Sequence, residues 1–370
     1  MKVMTILGTR PEIIRLSEVI KAADQAFDHI LVHTGQNYDY ELNEIFFEEL
    51  GLRKPDYFLN CVGQTLGDTM GNVIGEAYKL IQEVKPDAIL VLGDTNSALS
   101  AISAKRLKTP IFHMEAGNRC GDWNVPEMTN RVIVDHISDM NLPYSGVAEN
   151  NLLNEGLPKQ RIIRTGSPMK EVLLAHKKEI DGVDVLSKLG LEKGKYLVMS
   201  SHREENVDIP SKFHTLFSSL NEIADAMKMP VIFSCHPRTR KRLEKEGYKL
   251  SQYIRECKPF GFFEYLALQK DAYCVLSDSG TLSEESSLLD FPAVLIRTST
   301  ERQEANRHGS IFLGGITKQS ILEAMKKARA VHPGMTSIVP DYDVDNVSSL
   351  VVETIKKYTD IINEETWVKK

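Results

Sequence analysis

Three carboxylates stand where short apolar runs end. Asp94 follows Ile89, Leu90, Val91 and Leu92, Glu115 follows Phe112, His113 and Met114, and Glu127 comes soon after, behind Pro126. Acids at adjacent strand ends repel one another, so they hold protons unequally, and that is the raw material of acid–base catalysis. An Asp before a helix can instead cap its free N–H groups, a bland role that suits Asp94 taken alone. Three such acids in succession favour proton transfer over three caps. No His or Cys pair accompanies them at ligand spacing, so no metal is expected.

The complementary chemistry is basic. Gly8, Thr9, Arg10, Pro11 and Glu12 follow the first apolar run and open a helix, with Pro at a natural first-turn position. The glycine spacing matches neither a dinucleotide fingerprint nor a phosphate-binding P-loop. A tight turn with a surface Arg explains it about as well as an anion site. Further on, His202 and Arg203 follow the run 196–200, and His236 and Arg238 follow the run 230–234. After the run 273–276 come Asp278, Ser279, Gly280 and Thr281, then Glu284 and Glu285, whose small residues bare backbone N–H groups at a helix start suited to a diphosphate. An ordinary capped helix explains Ser279 but not the nearby Arg297 and Arg302. The sequon at Asn346 is discounted because the expected compartment is wrong for glycosylation, and the acid pair Asp341 and Asp343 and the basic cluster 238–242 read as solvated surface.

These residues need elements to position them. Apolar runs without alternation at 3–7, 29–33, 88–92, 110–113, 196–200, 230–234, 273–277 and 293–296 fit strands of parallel sheets covered on both faces. Helical spacing at 12–25, 66–84, 211–227 and 283–289 separates them, which means α/β with crossover connections. A composition break at 164–168 divides the 370 residues into two doubly wound, Rossmann-like domains, 1–167 with the carboxylates and 168–345 with the anion-binding residues. The segment 346–370 is a terminal helix able to cross back to the first domain. A ligand is expected in the cleft approached by both sheets. A net charge of −6 gives no attraction to nucleic acid or anionic membranes. Five scattered cysteines and the lack of a leader or spanning segment point to a cytoplasmic protein.

The motifs around Arg10, Asp94, Glu115, Glu127 with Arg131, His202 with Arg203, Asp278 to Glu285, and Arg302 occur in an order that resembles the non-hydrolysing UDP-N-acetylglucosamine 2-epimerase family. The resemblance implies a glycosyltransferase-B-like fold, a homodimer, a UDP-N-acetylhexosamine substrate and no redox cofactor. It implies loss of UDP to a glycal and re-addition after protonation on the other face. It assigns catalysis to Asp94, Glu115, Glu127 and His202. Positions matching those that hold UDP are Arg10, Ser279, Gly280, Glu285 and Arg302, and Arg131 and Arg203 join the substrate-binding set.

Departures from the family pattern bear on the sugar. Arg15 stands where Lys is common, Met128 where a second Glu is common and Gln303 where Pro is common, and the segment 118–125 is short. The Asn118-Arg119-Cys120 version of that segment looks more like the branch that epimerises other UDP-N-acetyl sugars for capsule or O-antigen assembly, such as the UDP-N-acetyl-L-fucosamine-forming and diacetamido-uronate enzymes, with the fucosamine-forming type favoured. UDP-N-acetylglucosamine and UDP-diacetamido-glucuronate 2-epimerases are the alternatives within the family. A glycosyltransferase of the same fold, a hydrolysing relative and a binding module without chemistry are the alternatives outside it.

Overall fold

The computed structural model describes residues 1–35, 44–123, 125, 127–335 and 337–369. Of the residues singled out above, Asn124 and Pro126 lie outside the described residues.

Two sheets form, each of parallel strands with helices around it. The first comprises β1 (Lys2–Leu7), β2 (Asp28–His33), β3 (Tyr57–Phe58), β4 (Ala88–Leu92), β5 (Ile111–Met114) and β6 (Met140–Leu142), in the spatial order β3-β2-β1-β4-β5-β6. The second comprises β7 (Leu197–Ser200), β8 (Val231–Ser234), β9 (Ile254–Cys257), β10 (Cys274–Ser277), β11 (Ala293–Leu295) and β12 (Phe312–Leu313), in the order β12-β11-β10-β7-β8-β9. Both sheets start at an inner strand, grow to one edge, then return and grow to the other. Each therefore has a switch point, β1 beside β4 and β7 beside β10, where loops diverge and leave room for a ligand.

Composition explains the layering. Every residue of β4 is buried and apolar, as a strand covered on both faces requires. Met4, Ile6, Ile89 and Val91 pack on Ala77, Leu80 and Ile81 of the helix Leu66–Val84 and on Ala101 and Ala104 of the helix Ser100–Arg106. In the second sheet Leu197, Met199 and Phe233 meet Phe213, Phe217 and Leu220 of the helix Pro210–Met227. Thr65 and Asp68 form a capping box that fixes where the helix Leu66–Val84 starts.

The chain makes two compact units. One contains Met1–Arg119, Val125–Ala175 and Asp341–Lys370, and the other Cys120–Asn124 and His176–Pro340. The passage from the first to the second comes at Ala175, a little beyond the composition break at 164–168. The break itself lies within the first unit, where Gly166 adopts φ +79° against Val344. The terminal helix Val347–Glu365 packs on the helix Arg10–Ala26 and belongs to the first unit. No helix among the described residues is long and apolar enough to cross a membrane.

Candidate functional site

The switch point of the first sheet gathers Arg10, Asp94 and their supports. Gly8 has no room for a side chain, since an added Cβ would come 2.0 Å from Thr34 Oγ1. Glu12, fully buried, accepts from Gly8 N at 3.1 Å, from Thr9 Oγ1 at 2.8 Å and from Ser97 Oγ. It thereby fastens the turn after β1 to the segment after β4. Burial pushes the Glu12 carboxyl above its usual range, and those hydrogen bonds pull it back only in part. The Arg10 guanidinium carbon stands 5.6 Å from the ring centroid of Phe46.

Asp94 is not a helix cap. The short turn that follows it is capped at Thr95, and the Asp94 carboxylate instead meets the guanidinium of Arg131. Arg131 is 2 % exposed and sits on the helix Glu127–Ile137, whose Asn130 also donates to Asp94 O at 3.0 Å. Glu127 opens that helix, four residues before Arg131 and so on the same face. Its Oε2 is buried without a hydrogen-bond partner among the described residues.

Glu115 follows β5 with φ +61°, a left-handed conformation that costs a non-glycine residue about 1–3 kcal/mol. Its carboxylate Oε2 pairs with Arg15 Nη1 at 3.0 Å, both side chains under a tenth exposed, and Asn118 Nδ2 approaches Oε1 at 3.4 Å. A Cβ built on Gly93 would lie 3.9 Å from Glu115 Oε2, which places the carboxylate beside the turn that carries Asp94. Two of the departures noted in the sequence thus lie here: Arg15 pairs with Glu115, and Met128 lies against Arg131, the partner of Asp94, with Sδ 3.7 Å from Arg131 Nη1.

Beneath the acids runs a polar network that sequence reasoning missed. His113 Nε2 is 2.7 Å from Gly93 O, and His113 Nδ1 is 3.0 Å from Asp135 Oδ1, with both side chains wholly buried. Asp135 accepts from Gly117 N at 3.1 Å and from Arg119 Nη1 at 2.7 Å, and Arg119 grips Glu155 with two further bonds. Burial would raise the Asp135 carboxyl, but His113 and Arg119 outweigh it and hold it below its usual range. The only signal in the sequence was a His next to the Glu115 motif.

The second unit gathers the basic residues at its own switch point. His202 follows β7 with its side chain about a third exposed, and its Nδ1 is 3.0 Å from Asp278 Oδ1 after β10. Arg203 Nε donates to Asp278 O at 3.3 Å and Nη1 to Glu301 at 3.3 Å. A Cβ on Gly280 would sit 3.4 Å from Arg203 Nη2, so the guanidinium lies over the Ser279–Gly280 turn. Ser279 Oγ is 3.0 Å from Thr281 Oγ1. Glu301 takes two bonds from Arg297, at 2.8 and 3.0 Å. Arg302 is 2 % exposed and lies 3.4 Å from Glu284, while Glu285 accepts from Gln269 at 3.0 Å. Arg302 and Glu285 are thus both buried.

A family model described as UDP-N-acetylglucosamine 2-epimerase matches residues 20–356. The chain belongs to the UDP-N-acetylglucosamine 2-epimerase family. It is accordingly an isomerase, a UDP-sugar 2-epimerase. A solved UDP-N-acetylglucosamine 2-epimerase from Rickettsia bellii superposes with a TM-score of 0.91 at 44% identity, covering 100% of both chains. The enzyme of Methanocaldococcus jannaschii, solved with UDP-GlcNAc and UDP, superposes at 0.90 with 34% identity over 96% of this chain and 99% of its own. UDP-2,3-diacetamido-2,3-dideoxy-D-glucuronate 2-epimerase of Pseudomonas aeruginosa is 36% identical over 332 residues, 88% of this chain and 92% of the other. The fold of these epimerases is glycosyltransferase-B-like, as the two doubly wound sheets are here.

Proposed function

We propose that this epimerase inverts carbon 2 of a UDP-N-acetylhexosamine by eliminating and re-adding UDP. The observation that carries it is the division of chemistry between the units: carboxylates fixed by their own arginines in one, a His–Arg pair beside a small-residue turn in the other. The carbon 2 hydrogen has no neighbouring carbonyl, so a side-chain base alone cannot remove it. Breaking the bond between carbon 1 and the diphosphate gives oxocarbenium character that acidifies this hydrogen, and a carboxylate takes the proton to leave a glycal. Protonation of carbon 2 on the opposite face and return of UDP to carbon 1 complete the inversion.

In this reading Asp94, Glu115 and Glu127 exchange the proton, and His202 with Arg10 offsets charge on the departing diphosphate. Arg203, Ser279, Gly280, Glu285 and Arg302 hold UDP, and Arg131 orients Asp94. The sugar we propose is the talosamine epimer converted to UDP-N-acetyl-L-fucosamine for surface polysaccharide. Its support is that Arg15 pairs with Glu115, that Met128 lies against Arg131, and that the segment 118–125 is short. All five cysteines are free thiols, in keeping with a cytoplasmic site of action. We propose a homodimer.

The test is NMR of a panel of UDP-N-acetylhexosamines incubated in deuterated water. Deuterium at carbon 2 of a product epimer is expected, fastest for the 6-deoxy pair. Transfer to an acceptor, or free sugar without deuterium, overturns the reaction. Faster exchange with UDP-N-acetylglucosamine or the diacetamido-uronate overturns the sugar alone.

A further inference from the structure

Asp278 was part of a motif in the sequence yet had no role of its own. In the structure it is fully buried where β7 and β10 run side by side, and its carboxylate is crowded with donors. It accepts from Ser201 Oγ at 2.9 Å, His202 N at 3.0 Å, Arg203 N at 3.1 Å and Asn206 Nδ2 at 3.1 Å. His202 Nδ1 stands 3.0 Å from its other oxygen, and its own backbone carbonyl accepts from Arg203 Nε. A carboxylate bonded by so many donors keeps its charge, and its carboxyl is held far below the usual range: burial opposes this, but His202 and the neighbouring N–H groups prevail.

One residue therefore holds both the backbone and the side chains of a His–Arg pair. Facing a carboxylate, the imidazole carries a proton on Nδ1, which leaves Nε2 as the ring atom able to meet a ligand. We propose that Asp278 is a positioning residue that acts through His202, aiming Nε2 at the departing diphosphate. The inference rests on the proposed role of His202. Simple loop anchoring would need the backbone bonds alone; the contact to Nδ1 distinguishes the two roles.

The test is a double-mutant cycle on the UDP-sugar that turns over, with His202→Asn, Asp278→Asn and both together. Asp278→Asn should lower kcat by about 30-fold or more with KM within about twofold, because the loss falls on the transition state. In the His202→Asn background the same change should cost less than about twofold, since its route is already cut. Equal losses in both backgrounds overturn the inference while leaving the role of His202 intact. Near-normal turnover of His202→Asn overturns the role of His202, and the inference with it. Should Asp278→Asn fail to fold, Asp278→Ser keeps a small acceptor there, and nitrogen-15 NMR of histidine-labelled wild-type protein reads the ring directly. A proton on Nδ1 of His202 supports the inference, and a bare Nδ1 overturns it.

Discussion

The buried network beneath the acids makes a quantitative claim about Asp135. Asp135→Asn keeps the shape of the side chain and removes its charge, taking the carboxylate from His113 and one of two carboxylates from Arg119, which keeps Glu155. Breaking a buried ion pair by removing one partner costs about 3–5 kcal/mol. Because Glu155 still neutralises Arg119, about 3 kcal/mol is the expected loss at pH 7. The pH dependence should change as well. A carboxyl whose folded value lies below its ordinary 3.8 contributes stability that is present above 3.8 and is lost as the pH falls through the folded value. Below 3.8 the wild type should therefore lose up to about 1.4 kcal/mol per pH unit on this account, and Asp135→Asn should lack that contribution. Urea unfolding between pH 7 and 3 measures both. Trp367, which packs against Lys105 in the first unit, serves as the fluorophore in a Trp123→Phe background. Equal stability at pH 7, or parallel profiles below pH 3.8, would refute the reasoning. Since Asp135 also holds Gly117 N, two residues past Glu115, kcat should fall in the folded variant.

Asp94→Asn, Glu115→Gln and Glu127→Gln should each lower kcat by about 10²-fold or more in the deuterium-exchange assay, and near-normal rates in all three would sink the proton-transfer roles. Gly117→Ala would drive a Cβ to within 2.3 Å of Ala148 O at φ +80°, so thermal melting should show a loss of about 2–4 kcal/mol. Phe217→Ala empties a fully buried site of the second unit and should cost about 3–5 kcal/mol in urea unfolding. Sedimentation equilibrium should give a particle of twice 41.7 kDa, and a monomer at micromolar concentration would refute the dimer.

The inner strands were legible because burial on both faces writes them as unbroken apolar runs, β4 most plainly. The edge strands were not. β3 and β12 are two residues long, and β9 turns Arg255 and Glu256 to solvent, the charged habit that keeps an edge from pairing further. Candidate residues were legible where a motif met a strand end. The arginines that pair with Asp94 and Glu115 were harder, because Arg15 and Arg131 lie inside helices and reach the acids only through the tertiary fold. His113, Asp135 and Asp278 needed the structure for the same reason: each spans two elements distant in sequence, and spacing carries no trace of that.

The helix Val347–Glu365 belongs to the unit that begins at Met1. During synthesis all of β7 to β12 leave the ribosome before that helix exists, so the second unit has its whole sequence available while the first still lacks a piece. The strands made earliest thus belong to the unit completed last, and a stall after residue 340 would release a protein with its later half whole and the helix Arg10–Ala26 bare along the face the terminal helix covers.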